Sequence, residues 1–152
     1  MEQTVEPVRG LEGVADRTRM HRERLDRARQ GLRKHGLAVA LLFDPMNVRY
    51  VAFPGMSPVF NLHFSARWAL VPVESRPVIW EYDCFVVNGA PPYWEGEVRA
   101  APDWQFFGSG LNTEQDSRSF ASEIADVLRE RGLSSERVGV DRLETAGYVA
   151  LA

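Results

Sequence analysis

An unbroken apolar run, Leu37-Ala38-Val39-Ala40-Leu41-Leu42-Phe43, stops abruptly at Asp44-Pro45. No other feature restricts the fold as much. A strand with one wet face alternates apolar and polar residues, because successive side chains point to opposite sides. This run does not alternate, so both faces must be covered, as in a central strand of a sheet that carries helices on either side. It is far shorter than the roughly 20 residues that span a bilayer. Asp44 and Pro45 then predict a helix start. The carboxylate can accept from free amides, and proline suits the first helical position. A short helix over residues 47–51 follows.

The rest of the chain must supply the covers. Leu25, Ala28 and Leu32 recur at helical spacing on one narrow stripe, and Gly36 offers a stop. Arg22, Arg24, Arg27, Arg29, Arg33 and Lys34 occupy the other faces, and Glu23 pairs with Arg27 one turn on. We read this basic helix as a solvated face over an apolar stripe, not a nucleic-acid site. The net charge of −3 exerts no long-range pull on nucleic acid or an anionic membrane. A second helix over residues 113–131 places Phe120, Ile124, Val127 and Leu128 on one face. Thr113 and Asp116 stand at capping-box spacing, and Gly132 ends it. Residues 67–73 and 78–85 are β-rich and joined through Glu74-Ser75-Arg76-Pro77, which predicts a hairpin. A further strand falls within 97–107, interrupted at Pro102, a short one over 138–141, and a last helix opens at Leu143. The predicted fold class is α/β, a mixed sheet flanked by helices. With 152 residues, 45% of them hydrophobic, one ordinary core is expected over 16–152, with 1–15 as a flexible arm.

Chemistry is sparse. His21, His35 and His63 are far apart and in no metal-ligand spacing, so no metal or other cofactor is expected in this chain. Gly108-Ser109-Gly110-Leu111-Asn112-Thr113 lacks the third glycine of a dinucleotide fingerprint and reads as a flexible loop. Cys84 lies in an apolar run and reads as a small buried hydrophobe. It excludes an internal disulfide and, with no secretory leader in the first residues, suggests the cytoplasm. The aromatic residues are more suggestive. Phe53, Phe60, Phe64 and Trp68 are interleaved with Asn61, His63 and Arg67. Two readings stay open for the loop: its aromatics fold back into the core, or they form a contact surface.

The order of these parts resembles the amino-terminal domain of the creatinase, prolidase and Xaa-Pro aminopeptidase family. The likeness rests on the helix with Arg24-Leu25 ending in His35-Gly36, and on the strand followed by Asp44-Pro45-Met46-Asn47-Val48-Arg49-Tyr50. A loop with Gly55 and the strand pair around Trp68 and Trp80 extend it over residues 22–151. Residues 43–50, the spacing of Asn61, His63 and Arg67, and Val78-Ile79-Trp80-Glu81-Tyr82 are most similar to the family's dimethylsulfoniopropionate lyase branch.

The resemblance implies a ribonuclease H-like domain whose last strand is missing here. It also implies a parent enzyme, a metal-dependent aminopeptidase or other hydrolase, or a lyase on the same frame. That parent would be a homodimer acting on a small molecule or peptide. Its catalytic domain, with a divalent metal pair, would be absent from this chain. The amino-terminal domain would supply dimer contacts and cover the partner's active site without catalysing anything itself. In creatinase-like members a phenylalanine and an arginine from the loop before the second strand reach the partner's substrate. Phe64 matches that phenylalanine, Arg67 stands near the arginine, and Asn61 and His63 lie beside them. The competing expectation is a stand-alone module that binds a small molecule or another protein.

Overall fold

In the computed structural model, which describes residues 16–52, 67–81 and 93–152, the apolar run forms β1 (Val39–Leu42). Val39, Leu41 and Phe43 are almost wholly buried, and so is Ala40, whose side chain points to the opposite face. The lack of alternation is thus explained by covers on both sides. β1 pairs antiparallel with β2 (Trp68–Pro72) and parallel with β5 (Val138–Val140). β2 pairs antiparallel with β3 (Val78–Glu81), through the turn expected at residues 74–77. β3 pairs parallel with β4 (Glu97–Ala100). The order β4-β3-β2-β1-β5 makes the sheet mixed, with β2 opposed to its four companions. β1 is an inner strand paired on both sides, as expected, and β2 takes the middle place. Hairpin pairing on one side and the late return of β5 on the other set it one position off centre.

Helix α1 (Arg17–Lys34) and helix α2 (Pro45–Ala52) cover one face. There Leu25, Val48, Val51 and Ala52 meet Ala69, Val71 and Ile79. After β4 come a single-turn helix, α3 (Phe106–Ser109), a 3-10 turn (Gly110–Asn112) and the long helix α4 (Thr113–Glu130). α4 covers the other face, where Phe120, Ile124 and Val127 pack on Leu41, Phe43, Trp68, Leu70 and Trp80. Trp104 stacks on Phe120 with ring centroids 4.6 Å apart, and Phe43 meets Trp104 edge-on at 5.5 Å. A last helix, α5 (Thr145–Leu151), packs beside α4.

Both long helices end in the same way. Gly36 and Gly132 take φ of +64° and +68°, a region closed to most side chains. The chain then folds back so that Leu37 N–H bonds Leu32 O and Leu133 N–H bonds Leu128 O. The edge strand β4 is charged, which discourages pairing with another sheet. Its Arg99 bonds Glu97, Glu123 and Glu130, and Arg131 also bonds Glu97. Burial opposes the charge on Arg99, but these bonds outweigh it and hold the guanidinium above its ordinary value.

Two local expectations are corrected. Residues 108–113 form helical turns rather than a flexible loop. The close approach of Asp103 to Gly108 (a Cβ there would lie 2.6 Å from Oδ1) fixes that turn. The capping box of α4 does not form, because Thr113 is already the first helical residue and the cap position falls to Asn112, whose side chain makes no cap bond; the Thr113 hydroxyl donates to Gly110 O at 2.6 Å. The strand expected within 97–107 is present as β4, ending at Ala100 before Pro102. The arm at 1–15 and the strand extension over 82–85 lie outside the described residues. Among the described residues, no helix is long and apolar enough to cross a membrane.

Candidate functional site at the carboxyl end of the sheet

The pairing pattern sends the carboxyl ends of β1, β3, β4 and β5, and the amino end of β2, to one edge. Open sheets of this kind bind ligands outside the carboxyl ends of their strands, where loops diverge and side chains converge. Residues 53–66 lead into β2 at this edge, and residues 82–92 follow β3 from it.

Arg67 and Glu81 face each other there. Continuing the hairpin register one step beyond Trp68 and Trp80 places them opposite. Arg67 Nε donates to Glu81 Oε1 and Nη2 to Oε2 at 2.8 Å, with side chains only 12% and 11% exposed. This two-point geometry is the strongest that a guanidinium and a carboxylate make. Burial pushes the Arg67 guanidinium down to about 10, so it stays charged at neutral pH.

Asp141, just past β5, forms a second cluster. Its Oδ1 accepts from Phe43 N at 2.8 Å and Arg142 N at 2.6 Å. Its Oδ2 accepts from Asp44 N at 3.2 Å and Asn47 Nδ2 at 2.9 Å. Asp44 Oδ1 in turn accepts from Met46 N at 2.9 Å and Asn47 N at 3.3 Å, capping α2 as expected. The Asp-Pro-x-Asn segment that best carried the resemblance is therefore scaffolding. It ties β5 to the β1–α2 corner and has no reacting group of its own.

Exposed large apolar residues also occur in the chain segments that follow these strands. They are Met46 after β1, Phe106, Phe107 and Leu111 after β4, and Tyr148 and Val149 after β5. Among the described residues, no group of three or more His, Cys, Asp or Glu is placed to hold a metal ion.

Of the residues singled out from sequence, Arg67 is at this edge and bound to Glu81. Asn61, His63 and Phe64 lie outside the described residues. Sequence reasoning passed over Glu81, Asp141 and His21. Glu81 was detectable as a carboxylate in an apolar strand opposite Arg67. His21 lies one turn before Leu25 on the same stripe, and it is buried. Asp141 carried no local signal, because its partners are far away in sequence.

No family model matches the chain. Two curated proteins are similar in sequence, both named dimethylsulfoniopropionate lyase DddP. The one from Roseobacter denitrificans is 29% identical over 140 residues, covering 91% of this chain and 31% of that protein. The one from Roseovarius nubinhibens is 27% identical over 138 residues, with the same coverage. This chain thus spans about a third of the length of the curated relatives it matches. Among solved structures, the amino-terminal domain of an Xaa-Pro dipeptidase from Lactobacillus brevis aligns with a TM-score of 0.56. It is 20% identical and covers 84% of each chain. An Xaa-Pro aminopeptidase from Streptococcus pyogenes aligns with a TM-score of 0.60 at 14% identity, over 88% of this chain and 84% of its own.

The chain has the creatinase/prolidase amino-terminal fold. For a creatinase/prolidase-like amino-terminal domain, the Asp44–Asn47 corner and the Trp68–Trp80 hairpin are parts of the frame. Trp68 and Trp80 are core residues, stacked at 5.9 Å.

Proposed function

We propose that this chain is the non-catalytic amino-terminal domain of a dimeric metalloenzyme of the creatinase/prolidase type, with its carboxyl sheet edge covering the partner's active site. The observation that carries this is the buried two-point pair of Arg67 and Glu81, set where the carboxyl end of β3 meets the amino end of β2. In this reading Arg67–Glu81 holds residue 67 in place, and so fixes the end of the segment bearing Asn61, His63 and Phe64. Those three and Arg67 are the proposed contacts with the partner's substrate. Arg67 would meet an anionic substrate group by sharing its fork with Glu81.

The sequence likeness to two dimethylsulfoniopropionate lyases favours a lyase acting on that zwitterion, or on a similar small carboxylate, over a peptidase. The peptidase structures are less than 25% identical and speak for the fold alone. A divalent metal pair would belong to the catalytic part of the polypeptide, because the described residues offer no ligand set for it. The cytoplasm is the proposed compartment.

The test has two parts. The purified chain should show no cleavage of dimethylsulfoniopropionate or Xaa-Pro peptides, with or without added divalent metal. In a longer polypeptide that contains this domain and is active, Phe64→Ala should raise KM or lower kcat while leaving melting temperature and dimerisation unchanged. Turnover by the chain alone, or unchanged kinetics for Phe64→Ala and His63→Ala alike, would overturn the proposal.

A further inference from the structure

His21 lies on the inner face of α1 and is only 2% exposed. Its ring meets Tyr93 at 5.7 Å and Trp94 at 5.5 Å, both tilted against it. Among the described residues its buried Nδ1 has no hydrogen-bond partner, and neither has Trp94 Nε1. Just outside, Arg22 donates to Glu95 through Nε at 3.0 Å and through Nη2. The stretch Tyr93–Glu95 directly precedes β4 and ends residues 82–92, which begin after Glu81. One histidine and one ion pair therefore fasten this stretch to α1.

We propose that His21, the Tyr93 and Trp94 rings and the Arg22–Glu95 pair form a latch that acid opens from the inside. A neutral imidazole can leave one ring nitrogen without a hydrogen, whereas imidazolium carries N–H on both. Charging His21 would place a donor at Nδ1, where no acceptor waits, and a cation in a site that excludes water. Burial is the largest influence and leaves His21 below its ordinary 6.5. The neighbouring charges divide. Glu95 favours a positive ring, whereas Arg22, Arg24 and Arg29 on α1 act against it, and Tyr93 is a neutral phenol. Two more cations lie further out, Arg76 acting on Glu95 and Arg17 on Tyr93.

The sign follows from proton binding. As pH falls below 6.5, the opened state takes up a proton on His21 that the closed state refuses, so closure weakens with acid. The outer pair fails later. The bond from Arg22 holds the Glu95 carboxyl below its ordinary 4.5, so the clasp keeps its charges while the ring titrates. Mild acid should thus release Trp94 while the sheet stays intact.

The experiment uses the purified full chain. Imidazole titration by NMR reads the His21 ring, and hydrogen exchange, corrected for intrinsic rate, reads the amides of residues 93–95 against those of β1 and β2. The expected result is a His21 midpoint below 6.5. Protection at 93–95 should fall several-fold between pH 7.5 and 5.5, with β1 and β2 unchanged. In His21→Phe, and separately in His21→Gln, that fall should vanish. A His21 midpoint at or above 6.5, constant protection in the unaltered chain, or the same acid loss in either variant would overturn the latch. If one variant does not fold, the other variant and the native ring's titration still decide.

Discussion

Arg67 was singled out from sequence as a contact for an anionic substrate group, and the fold also presents Glu81 to it at hydrogen-bonding distance. A buried pair of this kind adds little over a well-packed apolar pair, but breaking it strands a charge. Glu81→Leu or Arg67→Met alone should therefore lower unfolding free energy by about 3–5 kcal/mol, whereas the two together should cost far less. Urea denaturation of the two singles and the double closes the cycle. If the double loses the sum of both singles, the two side chains do not interact and the site assignment fails. Glu81 could have been found in the sequence, since hairpin register alone sets it opposite Arg67. Recognising that it would be buried required the whole sheet.

At the scale of elements, the corner between β1 and α2 shows which parts of a pattern are readable. Asp44 and Pro45 announced the start of α2, and the structure gives Asp44 that capping role. What the local sequence could not reveal is Asp141, whose carboxylate ties the same corner from 94 residues away at Asn47. Local capping is written in neighbouring residues, whereas a tie between β5 and α2 appears only once β5 has joined the sheet. Asp44→Ala should cost about 1 kcal/mol, as loss of a helix cap does. Asp141→Ala should cost about 2 kcal/mol, since it leaves main-chain donors of Phe43 and Asp44 without acceptors. Both carboxylates hold Asn47, so the double variant should depart measurably from the sum. Strict additivity in chemical denaturation would show that the corner is not one unit. The failed capping box at Thr113 is the converse case. There the spacing was right, but the preceding 3-10 turn runs straight into α4, so Thr113 stands inside the helix and Asn112 takes the cap position.

Across the whole molecule, the α/β layering followed from one apolar run plus two helical stripes, because a strand covered on both sides admits few other architectures. The inner position of β1 followed too, but the strand order did not, since it depends on which edge the late strand β5 takes. The shared direction of four strand ends was likewise hidden, for it arises from strand pairing rather than from any motif. The layering makes a sharp prediction about two leucines. Leu41 is 1% exposed between β2 and β5 and under α4, while Leu111 is 101% exposed in the 3-10 turn before α4. Leu41→Asp puts a carboxylate where no described cation pairs with it, at a cost of several kcal/mol, comparable to the roughly 5–15 kcal/mol of a domain's total stability. Leu41→Ala removes the side chain without burying a charge and should cost about 2–5 kcal/mol. Leu111→Asp should change stability by less than about 0.5 kcal/mol, because it buries nothing and adds an acid near the amino end of α4. Circular dichroism melts of the three variants measure this directly. A folded Leu41→Asp with an unchanged melting temperature would mean that β1 does not lie beneath α4. A Leu111→Asp as damaging as Leu41→Ala would mean that the carboxyl edge is core, and that the surface proposed to cover a partner is not there.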